Sequence, residues 1–189
     1  SSLYGCATFD LPGNRLYPNE GERLFSDVTD EAQARDGGWG WGAVFFDYDN
    51  DGDLDLAMVG GMHHPGVMGA SELDYPRLWE NDGTDTMRET ATEIGLNRQG
   101  SGKGVLTFDY DRDGDLDLFI VNNGGTPRLY RNDGGNENSW LRVHLVGSKT
   151  NQSGIGAKVS VTPLQGGPTQ VREYGVRSHF LGQSELTEH

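Results

Sequence analysis

The chain has little that could form a disulfide framework, a cationic surface or a membrane span. It contains one cysteine in 189 residues, so neither an internal disulfide nor a Cys-based zinc cluster can form within it. Lys and Arg number 15 against 29 Asp and Glu, and the resulting net charge of −14 would repel a phosphate backbone. The longest apolar runs, such as Leu118 to Val121, are far shorter than the ~20 residues of a membrane helix. We therefore expect neither a nucleic-acid partner nor a membrane span.

Catalytic motifs are missing as well. The sequence has no Gly-x-Ser-x-Gly elbow, no phosphate-cradling glycine loop and no His-Glu-x-x-His pair, so we assign no catalytic residue. The adjacent His63 and His64 could bind copper or zinc, or could simply lie on a solvent-facing loop. The role of Cys6 stays open. Four aromatic residues could form either a sugar-binding surface or part of a core; they are Trp39, Trp41, Tyr75 and Trp79.

The negative charge is concentrated in two nine-residue windows. Asp47 to Asp55 and Asp109 to Asp117 have the same sequence apart from position 4, and together they hold 10 of the 29 acids and one base, Arg112. Five carboxylates in nine residues repel one another strongly in a partly desolvated loop unless a positive charge lies among them. The two windows therefore predict two cation sites.

Calcium is the cation that this pattern favours. Hard divalent cations take six to eight oxygen ligands, and acids at positions 1, 3 and 5 converge in a tight turn when a glycine at position 6 allows left-handed backbone. Magnesium, which prefers a small octahedral shell, fits less well. We predict about two Ca²⁺ ions per chain. The predicted side-chain ligands are Asp47, Asp49, Asp51, Asp55, Asp109, Asp111, Asp113 and Asp117, and Asp53 and Asp115 are predicted to bind through their backbone carbonyls.

An EF-hand begins with a similar pattern but requires a bidentate Glu at position 12 and a following helix. Position 12 is Met58 in the first window and Ile120 in the second. Each window is followed by a short apolar run typical of a buried strand. The sequence therefore predicts a loop that closes at position 9 and continues into a strand.

A second phrase recurs with the acidic windows. Arg-Leu-Tyr or Arg-Leu-Trp followed by x-Asn begins at Arg15, Arg77 and Arg128. Arg15 and Arg77 are 62 residues apart, as are Asp47 and Asp109. Within one unit we predict strands at about 41–46, 54–60, 76–80 and 87–91, and in the next at about 103–108, 116–121 and 127–131, with residues 140–146 as a fourth. A four-stranded repeat of this kind is typical of a propeller blade.

These motifs resemble two known families. The acidic loop flanked by Phe46 or Phe108, together with the Arg-Leu-Tyr/Trp-x-Asn phrase, resembles the FG-GAP or VCBS repeats of integrin-alpha-like propellers. Residues 138–143, 154–161, 170–173 and 182–184 are similar to the ASPIC/UnbV domain, which follows such repeats in bacterial secreted proteins and in cartilage acidic proteins. A closed propeller would need about seven blades, and the usual final Phe-Gly-Leu-Gly phrase is missing. The resemblance therefore implies part of a longer propeller or of an assembly, with exposed strand edges.

Together, the motifs and the resemblance predict an all-β fold: a partial propeller of four-stranded blades in residues 1–135, followed by a small β domain in residues 136–189. We expect a secreted, extracellular or periplasmic calcium-binding interaction module whose partners are other protein chains. Two alternatives remain open. One is a carbohydrate-binding or polysaccharide-cleaving propeller, and the other is a structural subunit of a filament or larger complex.

Overall fold

The computed structural model describes residues 13–63, 71–72, 74–84, 86–149, 151–164, 166–175, 178–179 and 182–184. Cys6 and His64 lie outside these residues. In the described ranges the fold is all-β, with short antiparallel strands, one 3₁₀ turn at Gly135–Glu137 and no closed barrel. No helix in this part of the chain has the length and apolar character that a membrane crossing requires.

The strands follow one another in short steps separated by turns. They are β1 (Asn19–Gly21), β2 (Leu24–Phe25), β3 (Gly40–Phe46), β4 (Asp55–Gly60), β5 (Met62–His63), β6 (Ser71–Glu72), β7 (Arg77–Asn81), β8 (Met87–Glu89), β9 (Gly102–Phe108), β10 (Asp117–Asn122), β11 (Arg128–Tyr130), β12 (Lys158–Val161), β13 (Gln170–Glu173), β14 (Ser178–His179) and β15 (Gly182–Gln183).

The first complete repeat unit forms a four-stranded blade. Its antiparallel sheet has the order β3-β4-β7-β8, so that each strand pairs with the next strand of the blade, and the predicted strands are confirmed to within two residues at each end. On β3, buried Val44 and Phe46 alternate with exposed Trp41 and Phe45, as the period of two requires. The central strand β4 is buried on both faces.

The second unit has three of its four predicted strands, in the order β11-β10-β9. The predicted fourth strand at residues 140–146 is wrong. The 3₁₀ turn at Gly135–Glu137 redirects the chain after β11, and the Asn138 side-chain amide then donates a hydrogen bond to the Asp49 carbonyl at 3.0 Å. Trp140 and Arg142 then contact the second acidic window, at Gly114 and Asp109, and do not form a strand beside β11.

The two sheets pack face to face around one hydrophobic core. Ala57, Val59 and Leu78 of the first blade contact a matching surface of the second unit that includes Leu118 and Ile120. The opposite face of the first blade has its own smaller core, formed by Leu56, Met58, Trp79 and Met87 with Leu16 packed against it. Each face of the first blade is thus covered by residues from a neighbouring repeat.

The C-terminal residues form two hairpins, β12–β13 and β14–β15. Tyr174, directly after β13, is completely buried, and its hydroxyl accepts a hydrogen bond from the Leu145 backbone at 3.2 Å. Beyond β15, the Ser184 hydroxyl accepts a hydrogen bond from the Thr107 backbone of β9 at 3.0 Å. The first contact joins two residues of the C-terminal part, and the second holds this part against the second unit.

Candidate metal centres

The two acidic windows occupy equivalent turns. Loop 1 (Asp47–Asp55) joins β3 to β4, and loop 2 (Asp109–Asp117) joins β9 to β10. Their backbones match: position 6 has a φ of +103° at Gly52 and +102° at Gly114, and position 4 also has positive φ in both loops. Only glycine enters the region of position 6 without steric cost. The repeated sequence thus produces a repeated backbone.

Three carboxylates converge in each loop. Oxygens of Asp47, Asp49 and Asp55, at positions 1, 3 and 9, lie within 4.8 Å of one another, and loop 2 brings together the equivalent Asp109, Asp111 and Asp117. In loop 1, Asp47 and Asp55 are buried and Asp49 is half-buried. Six of the predicted ligands therefore lie in two clusters of three, one cluster in each loop.

The other predicted ligands lie outside these carboxylate clusters. Asp51 at position 5 is exposed, and its Oδ1 accepts a hydrogen bond from the Asp53 backbone at 2.8 Å. In loop 2, Asp113 accepts the equivalent bond from Asp115 at 3.3 Å. Asp53 is half-buried near Gly83. Binding by the side chains at position 5 and by the carbonyls at position 7 stays a prediction.

Position 9 has a structural role that the sequence did not reveal. The two oxygens of Asp55 accept hydrogen bonds from the backbones of Tyr48 and Asn81, each at 2.9 Å. Asp117 makes the same pair with Tyr110 and Asn132, at 2.8 and 2.9 Å. Each buried carboxylate therefore ties the start of its loop to the strand end that carries the Arg-Leu-Tyr/Trp-x-Asn phrase. The recurrence of this phrase after each loop was the available signal, although Asp55 and Asn81 are 26 residues apart and Asp117 and Asn132 only 15.

Asparagine side chains also connect the two loops. The Asn50 amide donates hydrogen bonds to the carbonyls of Gly114 in loop 2 and Gly135, at 3.0 and 2.9 Å. The Asn132 amide donates to the Tyr48 carbonyl in loop 1 at 2.6 Å. Loop 1 is therefore hydrogen-bonded to loop 2 and to the turn that follows β11.

Burial changes the pKa values of several loop carboxylates. Burial raises the pKa of Asp47 to about 6, with a further contribution from neighbouring Asp51, and burial raises the pKa of Asp55 to about 7. In loop 2, burial raises the pKa of Asp115 to about 7 and also raises the pKa of Asp117. Removing carboxylates from water favours their neutral form unless a cation compensates. A bound cation would supply that compensation and keep these groups ionised.

The donor set fits a hard divalent cation. Each cluster consists of three carboxylates with no histidine or cysteine, which suits calcium better than zinc. Asp47 is 5% exposed, and its Oδ1 is buried without a hydrogen-bond partner among the described residues. A buried carboxylate oxygen without a partner is costly. Coordination of an ion by this oxygen would remove that cost.

The four aromatic residues fall into two groups. Trp79 is 1% exposed in the core, whereas Trp39, Trp41 and Tyr75 are 44%, 40% and 43% exposed. The Lys103 ammonium lies 4.0 Å from the centroid of the Trp41 ring, in a cation–π contact. The structure therefore divides these residues between core packing and the surface.

Of the remaining candidates, His63 ends β5, while its neighbour His64 lies outside the described residues. The copper or zinc hypothesis for this pair stays open. His144 is exposed, with Nδ1 3.2 Å from the Tyr174 hydroxyl.

Comparison with known families covers both ends of the chain. Residues 6–58 match the FG-GAP-like repeat, and residues 147–189 match ASPIC and UnbV. A comparison with curated proteins finds no match. The first range includes loop 1, while loop 2 lies between the two ranges and shares eight of nine residues with loop 1. These domains indicate a β-propeller-like interaction module. The chain thus contains an N-terminal stretch that matches the FG-GAP-like repeat and a C-terminal stretch that matches ASPIC and UnbV.

Proposed function

We propose that the protein is a secreted interaction module in which one Ca²⁺ ion binds to each acidic loop. The proposal rests on the repeated cluster of carboxylates at positions 1, 3 and 9. In each cluster, the double positive charge of a bound ion would offset the repulsion between the three carboxylates. Asp47, Asp49 and Asp55 would hold the ion in loop 1, and Asp109, Asp111 and Asp117 would hold it in loop 2.

Binding would stabilise the fold at the point where the two innermost strands of each unit are joined. The ligand cage is built by folding, so that metal affinity contributes to the free energy of folding. Calcium sites of extracellular modules have Kd values of ~10⁻⁴ to 10⁻³ M. At an ion concentration 10 times Kd, one site adds about 1.4 kcal/mol. Sites of that affinity would be filled at millimolar calcium, and we propose secretion on that basis.

The partner that we propose is another protein chain that contributes a β-strand. In the first blade, β8 pairs with β7 and places Met87 in a core. Among the described residues nothing pairs with the outer edge of β11, the equivalent strand of the second unit. Beside this edge lies a cavity of about 430 Å³ lined by residues that include Leu96, Leu118 and Tyr130.

This open edge has the properties of a strand-docking site. An edge strand offers unpaired backbone groups that pair readily with an extended segment of another chain. The Tyr130 hydroxyl is buried without a hydrogen-bond partner among the described residues. A strand that brings an apolar side chain to the position of Met87 would fill the cavity and complete a four-stranded blade.

Calcium binding is tested first by native mass spectrometry and isothermal titration calorimetry of the purified chain, after chelation and again with added calcium. We expect two ions per chain, and one ion in the single variants Asp49→Ala and Asp111→Ala, each of which removes one carboxylate of a cluster. A chain that binds no calcium at millimolar concentration would refute the metal assignment.

Strand docking is tested separately with synthetic extended peptides. A set with the sequence of residues 86–91, carrying either Met or Asp at the position of Met87, is titrated against the chain. We expect the Met peptide to bind more tightly than the Asp peptide, and Leu118→Glu to abolish the difference. Equal binding of both peptides, or no binding, would contradict this partner.

A further inference from the structure

Two arginines of the C-terminal segment (residues 138–175) reach the first aspartate of the two loops. Arg172 on β13 lies with Nη2 3.8 Å from Oδ2 of Asp47 and donates a hydrogen bond to the Gly52 carbonyl at 3.0 Å. Arg142 lies with Nη1 3.6 Å from Oδ2 of Asp109. Each loop therefore has one arginine from the same segment facing its position 1.

A second contact repeats at position 6. A Cβ added at Gly114 would overlap the indole ring of Trp140, and a Cβ added at Gly52 would overlap the side-chain amide of Gln170. Trp140 precedes Arg142 by two residues, and Gln170 precedes Arg172 by two. On β13, which is an extended strand, Gln170 and Arg172 project to the same side. The same two-residue unit, a flat side chain followed by an arginine, thus covers both loops.

The contacts at loop 1 leave one oxygen of its first aspartate available. Oδ2 of Asp47 accepts a hydrogen bond from the Gly52 backbone at 3.0 Å and faces Arg172, whereas Oδ1 is buried without a partner in the described part of the chain. The arginine and an ion can therefore be held by different oxygens of one carboxylate. Arg172 itself is well shielded, with 13% of its side chain exposed.

Charge favours simultaneous binding. Loop 1 has five acids, so that a divalent ion would leave a net charge of −3, and loop 2, which includes Arg112, would keep −2. An arginine beside the outer oxygen reduces the remaining repulsion without occupying the ion's place. It also fixes the orientation of the carboxylate, which lowers the entropy lost when the ion binds.

We propose that Arg172 and Arg142 are positioning residues that couple ion binding in each loop to docking of the C-terminal segment. This inference rests on the calcium function proposed above. Because coupling between two binding equilibria is reciprocal, each ion would strengthen the attachment of the segment, and the attached segment would strengthen binding of each ion. How firmly the C-terminal segment is attached would then depend on whether each loop holds calcium.

The first experiment is a calorimetric calcium titration of the full chain carrying Arg172→Met or Arg142→Met. Each variant is also made in backgrounds that retain one working loop, Asp111→Ala for loop 1 and Asp49→Ala for loop 2. We expect Arg172→Met to raise the Kd of loop 1 roughly 5- to 30-fold and to leave loop 2 nearly unchanged, with Arg142→Met giving the reverse. Arg172→Lys, which keeps the charge, should recover part of the loss.

The matched control is Arg88→Met. Arg88 also makes ion pairs, with Glu80 and Glu93 at 2.7 Å each, but these acids lie outside both loops. We expect this variant to bind calcium as the unmodified chain does. A similar weakening in Arg88→Met would show that the effect reflects general charge loss and would overturn the positioning role.

The second readout is backbone hydrogen exchange in the β12–β13 hairpin. We expect calcium to slow exchange there in the unmodified chain and to have a much smaller effect in Arg172→Met. If the unmodified chain binds no calcium, the proposed function fails. The coupling is refuted, while the metal sites stand, if the unmodified chain binds calcium but both arginine variants bind it with an unchanged or lower Kd. It is also refuted if calcium does not change hydrogen exchange in the β12–β13 hairpin of the unmodified chain.

Discussion

Replacing Asp55 with alanine should destabilise the protein even when no metal is present. Asp55 is completely buried, and its two oxygens accept backbone hydrogen bonds from Tyr48 and Asn81. Asp51, in the same loop, is exposed and accepts a single hydrogen bond, from the next residue but one. Asp51→Ala is therefore a matched control that removes a carboxylate of loop 1 without removing the connection to β7.

The size of the effect follows from the hydrogen bonds that are lost. With a pKa of about 7, Asp55 is divided between its neutral and charged forms at pH 7. A hydrogen bond contributes about 0.5–1.5 kcal/mol with a neutral acceptor and about 1.5–3 kcal/mol with a charged one, so two bonds give roughly 2–4.5 kcal/mol, partly offset because alanine also removes a carboxyl that is costly to bury. We expect a net loss of about 2 kcal/mol, equivalent to a fall in Tm of roughly 4–8 °C for a chain of this size. Asp51→Ala should lose less than about 1 kcal/mol under the same conditions.

The assay is urea denaturation in excess chelator at pH 7, followed by tryptophan fluorescence. Trp79 is 1% exposed and belongs to the same blade, so that its emission reports unfolding there. Asp55→Asn, which keeps one acceptor oxygen, should fall between the unmodified chain and Asp55→Ala. If Asp55→Ala loses no more stability than Asp51→Ala in chelator, position 9 has no structural role and the reasoning is wrong.

Three further predictions follow from the same loops and from the core. Asp51→Ala and Asp113→Ala should each lower Tm in calcium but have little effect in chelator; equal melting of variant and unmodified chain in both conditions, measured by scanning calorimetry, would contradict this. In chelator, Asp55 stabilises the fold as a neutral acid below its unfolded pKa of ~3.9, and this stabilisation is lost as pH rises through its folded pKa of about 7. The Tm should therefore fall between pH 5 and 7.5. Saturating calcium should abolish most of that fall. An apo protein that becomes more stable over this range would refute the direction. Trp79→Ala should cost about 3–5 kcal/mol, because the side chain is buried in the first blade, whereas Trp41→Ala at the surface should cost far less; equal denaturation midpoints for the two variants would argue against the assigned core.

Much of the fold could be predicted because its signals are local. The alternation on β3, the two-sided burial of β4 and the turn glycines all depend on residues close together in sequence, and the strands of the first blade follow the prediction within two residues. The convergence of positions 1, 3 and 9 was likewise encoded in the spacing of nine residues. The failure at residues 140–146 has a different origin. A segment with alternating apolar residues forms a strand only where it pairs with the edge of a sheet. Here Asn138, Trp140 and Arg142 contact the acidic loops, and residues 140–146 do not pair with β11.

The sequence by itself determined the repeat, the all-β fold, the two acidic loops and the absence of any internal disulfide, because composition, spacing and period suffice for these. Only the tertiary structure decided which distant groups meet. It paired Asp55 with Asn81, bridged loop 1 to loop 2 through Asn50, and brought Arg172 to Asp47 across more than a hundred residues. The physical reason is that a buried carboxylate requires partners, and which donor or cation reaches it depends on how the sheets pack and not on its neighbours in the chain.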